Sequence, residues 1–271
     1  MSVYKVEKPG NLDRALQSVW DDQTHRPDEI VLIADGPLTR ELDEVIEKWN
    51  QSLGESFILC RNDVNLGLTK SLNKGLKLAK GELIARMDCD DISHPRRFEK
   101  QHAFLLENSD IDVVGGAIQE FNDENECIAV RSFPTDSKII LKYIGKASPL
   151  AHPAVMMRKR IFESGISYDE RFRTSQDLAL WFDVLDNGYK ISNIPDVVLY
   201  FRFANDVFKR RSRDKAFNEF RIYMNGIYRL KGLFTISYIY PITRLAFRLM
   251  PKRIIKLVYE SNFRNKLLSN R

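Results

Sequence analysis

Three aspartates, Asp88, Asp90 and Asp91, lie within four residues at the end of the apolar run 82–87. Ionised carboxylates held this close repel one another unless a cation compensates their charge. Their oxygens suit a hard divalent cation such as Mg²⁺ or Mn²⁺, which usually also binds substrate phosphates. The motif therefore predicts a metal and phosphate site, although a solvated turn in which Asp91 caps the next helix also fits these residues.

Two other chemistries known for acidic loops fit less well. An EF-hand that began at Asp88 would need a ligand at Ile92 and a glycine at Ser93, so this kind of site is excluded. A phosphatase that forms an aspartyl-phosphate would use Asp88 as its nucleophile. Asp91 stands where that pattern normally has Thr or Val, which weakens the phosphatase hypothesis but leaves it open.

The bulk composition excludes several further classes. With 44% hydrophobic and 29% charged residues the chain is not disordered or fibrous, and its 271 residues can form one large α/β domain with an appendage. Three cysteines without CxxC spacing and four scattered histidines do not form a zinc motif. Neither a phosphate-binding P-loop nor a dinucleotide fingerprint is present.

The sequence predicts a cytosolic protein. Its first residues lack the apolar core of a signal peptide, and the longest apolar stretch, 233–243, is interrupted by Pro241. This stretch is far shorter than the ~20 residues that cross a bilayer.

Strand-like and helical patterns alternate along the first part of the chain. Apolar runs at 29–34, 57–60 and 82–87 are separated by helical apolar stripes, 42–53 and 68–79, and a first stripe precedes them at 12–19. This alternation predicts an α/β fold with right-handed crossovers and a doubly wound, mostly parallel sheet.

The same pattern places acidic residues at one edge of the predicted sheet. Ligands bind beyond the carboxyl ends of strands in open α/β sheets, where Asp35 and the acidic loop are expected. A helix is predicted from about His94, with Ser93 as its N-cap and Pro95 in its first turn.

The second half is less regular. It contains strand-like segments at 111–118, 128–133 and 197–203, a helical stripe at 178–185 and a basic helical region from about Arg213 onward.

Motifs in several parts of the chain resemble the inverting glycosyltransferases of family 2, over roughly residues 3–203. The donor-side motifs are Asn65-Leu-Gly67, Leu72-Asn73-Lys-Gly75 and the run 79–97, preceded by 16–19, Gln23, 27–31 and Asp35-Gly36. The acceptor-side motifs are His152-Pro153, 168–172 and 175–181. Their order and spacing are those of the family.

The resemblance implies a GT-A fold in which residues 1–110 form the donor half and residues 111–205 the acceptor half of one domain. It also implies roles for the donor-side residues: Asp90 and Asp88 at the metal, Asp88 also at the ribose, Asp35 at the base, and Asn65, Lys70 and Asp91 in the donor pocket. An exposed helix lysine without a role is an equally good interpretation of Lys70.

On the acceptor side the resemblance implies that Asp177 is the catalytic base. An aspartate with a pKa near ~3.9 is ionised at neutral pH and can accept the acceptor hydroxyl's proton as the oxygen attacks the anomeric carbon. Attack opposite the leaving nucleotide inverts that carbon. His152 and Trp181 are expected to border the acceptor, although a turn residue and a core residue would also fit.

The sequence departs from the family in two places. Only Asp35, preceded by Ala34, stands where the family has a pair of acids. The chain also begins inside the family's first strand, at Ser2-Val3-Tyr4. We expect a misassigned start codon, so that upstream residues would raise stability and activity.

Residues 206–271 form a basic tail. Positions 221–271 contain eleven Lys and Arg but one acid, Glu260. Arg244, Arg248, Lys252 and Lys256 recur every four residues beside an apolar side formed by Phe247, Met250, Ile254, Ile255 and Val258, and Pro251 is expected to separate two helices. An anionic membrane surface is the favoured partner. Nucleic-acid binding is the competing interpretation but is not the expected one. A helix packed on the catalytic domain, with a solvated charged face, is the further alternative.

Together these features predict an inverting transferase that uses a divalent cation, Mn²⁺ or Mg²⁺, and a nucleotide-diphosphate sugar, with a UDP-sugar favoured. The expected acceptor is a lipid-linked saccharide in surface polysaccharide biosynthesis, on the inner face of the cell membrane. A metal-dependent phosphatase and a non-catalytic interaction module with a basic tail are the alternatives.

Overall fold

The computed structural model describes residues 1–122, 124, 126–203 and 213–249. None of the helices in these ranges combines the length and the apolar composition that a bilayer crossing requires.

A parallel three-stranded sheet with its helices forms the first part of the fold. Its elements are β1 (Ser2–Val3), α1 (Pro9–Val19), β2 (Ile30–Asp35), α2 (Arg40–Leu53), β3 (Phe57–Asn62) and α3 (Leu68–Leu78). The strand order is β1-β2-β3, and the Asp35–Asn62 pair ends the β2–β3 ladder. The predicted strand–helix alternation is confirmed here.

Local sequence signals account for these helices. Pro9 occupies the first turn of α1, where its missing N–H costs no hydrogen bond. The Thr39 hydroxyl caps α2 by accepting a hydrogen bond from the backbone of Leu42. The buried side of α2 then carries its apolar stripe, including Ile46 and Trp49.

A mixed six-stranded sheet forms the second part. Its elements, with the helices between them, are β4 (Leu83–Ala85), β5 (Ile92–Ser93), α4 (Arg97–Glu107), β6 (Val113–Phe121), β7 (Cys127–Arg131), α5 (Ser137–Tyr143), β8 (Met156–Arg158), α6 (Arg160–Glu163), α7 (Gln176–Asp186) and β9 (Ile191–Arg202). The order is β4-β8-β6-β9-β5, with β7 on β6. The β6–β9 pairing is parallel and the others are antiparallel, so the α/β class is confirmed while this second sheet is mixed.

Two helices follow the second sheet, α8 (Arg213–Lys231) and α9 (Ile239–Leu249). Gly232 ends α8 with a φ of 73°, and a 3₁₀ turn at Ile236–Tyr238 leads into α9. The predicted tail residues Met250 to Val258, including Pro251, Lys252 and Lys256, lie outside the described residues.

The predicted start of α4 is wrong. The helix begins at Arg97, while Ser93 belongs to β5, which pairs with β9. The Ser93 hydroxyl accepts a hydrogen bond from Gln23, and its backbone N–H donates to the hydroxyl of Ser18. Ser93 therefore ties α1 to the second sheet and caps no helix.

An apolar groove separates the two sheets. β1 pairs with β2 at only two residues, as the short first strand in the sequence predicts, and within the described residues no strand pairing joins β1 to β4. The groove has a volume of about 490 Å³ and is walled by Ile30, Leu72, Leu76, Ala85, Phe98 and Met156. It reaches the residues just before the acidic loop.

Candidate active site

The acidic loop lies between β4 and β5. Asp88, Asp90 and Asp91 bring three carboxylate oxygens within 4.8 Å of one another, as the motif predicted. Asp91 is only 1% exposed, whereas Asp88 and Asp90 are half-buried. The loop therefore offers a cluster of oxygen ligands that opens on one side.

The electrostatics of this loop favour a cation. Burial, and then the negative charges of Asp88 and Glu7, raise the pKa of Asp90 to about 6. Burial, and then Asp88 and Asp90, also raise the pKa of Asp91. Oδ1 of Asp91 accepts a hydrogen bond from the Arg202 backbone at 2.8 Å, while its buried Oδ2 has no partner. These residues fit a divalent cation, which would compensate the charges and satisfy the free oxygen.

Arg86 lies beneath the loop. Its Nη2 forms an ion pair with Oδ1 of Asp88 at 2.5 Å, and its side chain is 5% exposed. Burial opposes the charge of Arg86, but the pair with Asp88 raises the pKa of the guanidinium above its ordinary value. Nε and Nη1 are buried without a hydrogen-bond partner. Arg86 is therefore a protonated group whose hydrogen-bonding capacity is only partly used.

Asp35, at the end of β2, holds a loop of the first sheet. Its carboxylate accepts hydrogen bonds from the Asn62 side chain at 2.9 Å and from the backbones of Leu66 and Gly67 at 2.8 and 2.9 Å. Both of its oxygens are thus engaged within the protein. In the structure Asp35 positions this loop, and its expected contact with a base stays a prediction.

Asn65 and Lys70 occupy different positions relative to that loop. Asn65 is exposed and donates a hydrogen bond to the backbone oxygen of Asp35. Glycine is required at position 36 for Asn65 to come this close, because a Cβ there would lie 2.7 Å from the backbone nitrogen of Asn65. The φ of Gly36 is also 87°, a conformation that favours glycine. Lys70 is exposed on α3, whereas Lys74 is half-buried and donates to Asn62. Lys74 is therefore the α3 lysine that reaches the network around Asp35.

Asp177 lies in the first turn of α7. Ser175 precedes it in the left-handed conformation, with a φ of 60°. Burial raises the pKa of Asp177, and a hydrogen bond from the Leu178 backbone and the positive charge of Arg86 lower it in part. Since Arg86 is also paired with Asp88, one buried cation acts on both the acidic loop and Asp177.

A buried aromatic cluster connects these two regions. The ring nitrogen Nε2 of His152 lies 2.7 Å from the hydroxyl of Tyr168, and the His152 ring meets Trp181 edge to face at 6.1 Å. Burial, and then the charge of Arg86, lower the pKa of His152 well below its ordinary value. This imidazole is therefore neutral near pH 7.

Trp181, expected with His152 to border the acceptor, is 0% exposed and occupies the core, which is the alternative that the sequence left open for it. His152 is 8% exposed and holds Tyr168, so it supports the site from inside. Trp181 lies in the core because α7 packs its apolar side against buried residues that include Tyr168, Ile191 and Tyr223. The sequence around a tryptophan in an apolar stripe does not indicate whether its side chain lies in the core or at a sugar-binding surface.

Sequence reasoning missed Arg86 and Tyr168. The signal for Arg86 was a charged residue inside the apolar run 82–87, since arginine is rarely fully buried unless it is paired. Tyr168 gave no such signal, because its contact with His152 depends on how the chain folds.

Comparison with known proteins identifies the fold and the family. The profile described as Glycosyl transferase family 2 matches residues 1–165. The chain is 33% identical to the amylovoran biosynthesis glycosyltransferase AmsE of Erwinia amylovora, over 97% of each chain. It is 33% identical to the UDP-Gal:alpha-D-GlcNAc-diphosphoundecaprenol beta-1,3-galactosyltransferase of Escherichia coli, over 98% of this chain and 96% of that protein.

A solved structure shows the same fold. The complex of S. aureus TarS 1-349 with UDP-GlcNAc superimposes with a TM-score of 0.66, at 19% identity, over 92% of this chain and 70% of that chain. At this identity the likeness establishes the architecture alone.

Proposed function

This chain belongs to glycosyltransferase family 2 and is a glycosyltransferase, and we propose that it transfers a sugar, with inversion, from a nucleotide-diphosphate sugar to a lipid-linked saccharide. The observation that supports the proposal is the Arg86–Asp88 pair, because the buried charge of Arg86 acts on both the acidic loop and Asp177. In this proposal residues 1–110 bind the donor and residues 111–205 the acceptor.

We propose that Asp90 and Asp88, with Asp91 beside them, hold Mn²⁺ or Mg²⁺. The raised pKa values of Asp90 and Asp91 and the unpartnered oxygen of Asp91 support this ligand set. When bound, the cation supplies stabilisation for the charge that develops on the leaving diphosphate. A UDP-sugar is the favoured donor, since one relative is named for a UDP-Gal donor and TarS was solved with UDP-GlcNAc.

Asp177 is the proposed base. Its carboxylate accepts the proton of the acceptor hydroxyl as that oxygen bonds to the anomeric carbon and the bond from this carbon to the diphosphate breaks. The hydrogen bond from Leu178 and the charge of Arg86 favour the ionised form that this step needs. Arg86 also orients Asp88 from below the loop.

The phosphatase alternative loses its support. Membership in the transferase family opposes it, and Oδ1 of Asp88, the carboxylate that would have to attack phosphorus, is held by Arg86. Since the chain is an enzyme of this family, the non-catalytic alternative is not favoured either.

The setting of the reaction is proposed from the relatives and from charge. One relative is named for amylovoran biosynthesis and another for a diphosphoundecaprenol acceptor. We propose that this chain extends a surface polysaccharide on a lipid carrier, at the inner face of the cell membrane. The excess of Lys and Arg in residues 221–271 supports a peripheral attachment to anionic lipid.

Three variants test the proposal in an assay with a panel of nucleotide sugars, a lipid-diphosphate saccharide and Mn²⁺. We expect Asp177→Asn to lower transfer by about 10²–10⁴-fold, the usual contribution of a general base. Asp90→Ala should abolish the response to metal. Asp110→Asn, at an exposed aspartate paired with Lys190, is the matched control and should behave as wild type.

Phosphatase chemistry would survive in Asp177→Asn and be lost in Asp88→Asn. Phosphate release from nucleotide sugars that persists in the Asp177 variant would therefore overturn the proposal.

A further inference from the structure

The turn between α8 and α9 exposes a cluster of large apolar side chains. Leu233, Phe234, Ile236, Ile239 and Ile242 form this cluster, which we call the apolar tip; Phe234 is 99% exposed and Ile236 is 78% exposed. A soluble surface rarely gathers this many apolar side chains within ten residues unless they contact something. The tip is therefore a candidate interaction surface.

The tip is held by a defined set of contacts. Nζ of Lys231 donates to the backbone oxygen of Lys142 at 3.0 Å and to the hydroxyl of Ser237 at 3.2 Å. The Tyr238 hydroxyl donates to the backbone oxygen of Gly232 at 3.0 Å. Ser237 is buried beneath the exposed side chains. The apolar residues are thus presented outward by a fixed turn that is anchored on α5.

Positive charge surrounds the tip. Residues 220–249 contain no acid, and the neighbouring segment 137–146 contains three lysines and no acid. One of these, Lys146, has its Nζ 5.1 Å from the centre of the Tyr240 ring, next to the tip. An apolar cluster with a basic rim matches the interface of an anionic bilayer, where acyl chains lie below acidic head groups.

Two arginines of the basic stripe that was expected to face the membrane form ion pairs within the protein. Arg244 and Arg248 both pair with Glu219, at 2.9 and 2.5 Å, and so join α9 to α8. The basic stripe in the sequence is therefore, in its described part, a contact between helices. Among the described residues, the apolar tip, Lys142 and Lys146 are exposed.

We propose that the apolar tip inserts into the interface of an anionic bilayer, with Lys142 and Lys146 at the level of the head groups. This inference rests on the membrane attachment in the proposed function and names the surface that makes it. Pairing with a second copy is less favoured, because a two-fold contact would bring the lysine rims of both copies together without an acid between them.

Co-sedimentation of the full chain with vesicles tests this surface. Vesicles of phosphatidylcholine alone are compared with vesicles that contain 30% phosphatidylglycerol. We expect binding to the anionic vesicles, and at least a tenfold loss of the partition coefficient in Phe234→Ser/Ile236→Ser. Leu106→Ser changes an apolar residue on α4 that is 67% exposed, and it should bind as wild type.

Lys142→Ala/Lys146→Ala should lower binding to anionic vesicles and weaken its dependence on salt. Phe234→Trp should show a blue shift of tryptophan emission with anionic vesicles only, which reports burial of this position in lipid. Thermal unfolding of each variant confirms that the fold is intact.

Equal binding of wild type and Phe234→Ser/Ile236→Ser would overturn the proposal. A change from dimer to monomer in gel filtration, with vesicle binding unchanged, would instead identify a second copy as the occupant and also overturn it. Transfer to the lipid-diphosphate saccharide dispersed in detergent, measured in parallel without vesicles, separates the two proposals. Its absence in the wild type would contradict the proposed reaction, while the vesicle result would still decide the role of the tip.

Discussion

Nη2 of Arg86 lies 2.5 Å from Oδ1 of Asp88, so the buried guanidinium pairs with a half-buried carboxylate of the acidic loop. The same guanidinium lowers the pKa of Asp177, which lies in the first turn of α7, more than ninety residues further along the chain. A single buried charge therefore acts on the proposed metal ligand and on the proposed base. Without it, the carboxylates of the loop would have less compensation in a partly buried environment.

Replacing Arg86 should impair catalysis through its effects on both Asp88 and Asp177. We expect Arg86→Met to lower kcat/KM, because Asp88 and Asp177 both lose a compensating positive charge. It should also destabilise the fold by less than the ~3–5 kcal/mol of a fully buried pair, since Asp88 is 33% exposed. The acid limb of the pH profile should also move to higher pH, because Arg86 lowers the pKa of Asp177. Arg86→Lys keeps the positive charge, so it should lose less activity and shift the acid limb less than Arg86→Met does.

Arg40→Met is the control for Arg86, since the Arg40 side chain is 88% exposed and only pairs with Glu44. A pH profile of Arg86→Met that overlays the wild type would show that Arg86 does not act on Asp177.

The pH dependence of transfer should report Asp177. A base must be ionised, and burial raises the pKa of Asp177, so activity should fall with decreasing pH at values above the ~3.9 of an ordinary aspartate. The assay needs saturating Mn²⁺, because Asp90 has a pKa of about 6 and would otherwise titrate in the same range. Activity that stays constant down to pH 4 would contradict the proposed base.

Metal should stabilise the fold through the acidic loop. A ligand that binds only the folded state at a hundred times its Kd stabilises it by about 2.7 kcal/mol. We expect Mn²⁺ with UDP to raise the thermal unfolding midpoint of the wild type but not of Asp90→Ala or Asp91→Asn. Asp110→Asn should keep the full shift. A shift of equal size in Asp90→Ala would place the metal elsewhere.

The packing of α7 against α8 depends on Gly226. A Cβ at this position would lie 2.3 Å from ring atoms of Phe182. Gly226→Ala should therefore destabilise the protein by about 1–3 kcal/mol, the usual cost of overpacking a core. Gly10→Ala, in α1, would meet no atom within 4 Å and should be neutral or stabilising. Urea unfolding measures both, and equal midpoints would refute the predicted clash.

Local patterns were enough to predict the first sheet and the acidic loop. The helical stripe of α2 and the run that forms β2 carry their own periodicity and boundary residues, and the loop after β4 is a compact motif. These features depend on neighbours in sequence, which is why they could be read without a structure.

Contacts between distant segments account for the errors. Ser93 looked like an N-cap, but β5 pairs with β9, more than a hundred residues away. The hydrogen bonds from the loop after β3 to the Asp35 carboxylate could not be read from the sequence either. Arg244 looked like part of a lipid-facing stripe until α9 packed on α8 and gave it Glu219 as a partner. Periodicity reveals which side of a helix is basic, but it does not reveal what that side meets.

The gap between the two sheets has a consequence for cooperativity. A continuous backbone ladder makes neighbouring strands open together, whereas β1 and β4 share no pairing within the described residues. We therefore expect the amides of β2 and β3 to exchange with deuterium at rates different from those of β6 and β9, although one apolar core contacts both sheets. The Cys89 thiol, which donates to the backbone oxygen of Ser2, links the acidic loop to β1 across this gap. Binding of a metal ion to the acidic loop should therefore slow amide exchange in the first sheet, so that one binding event protects both sheets.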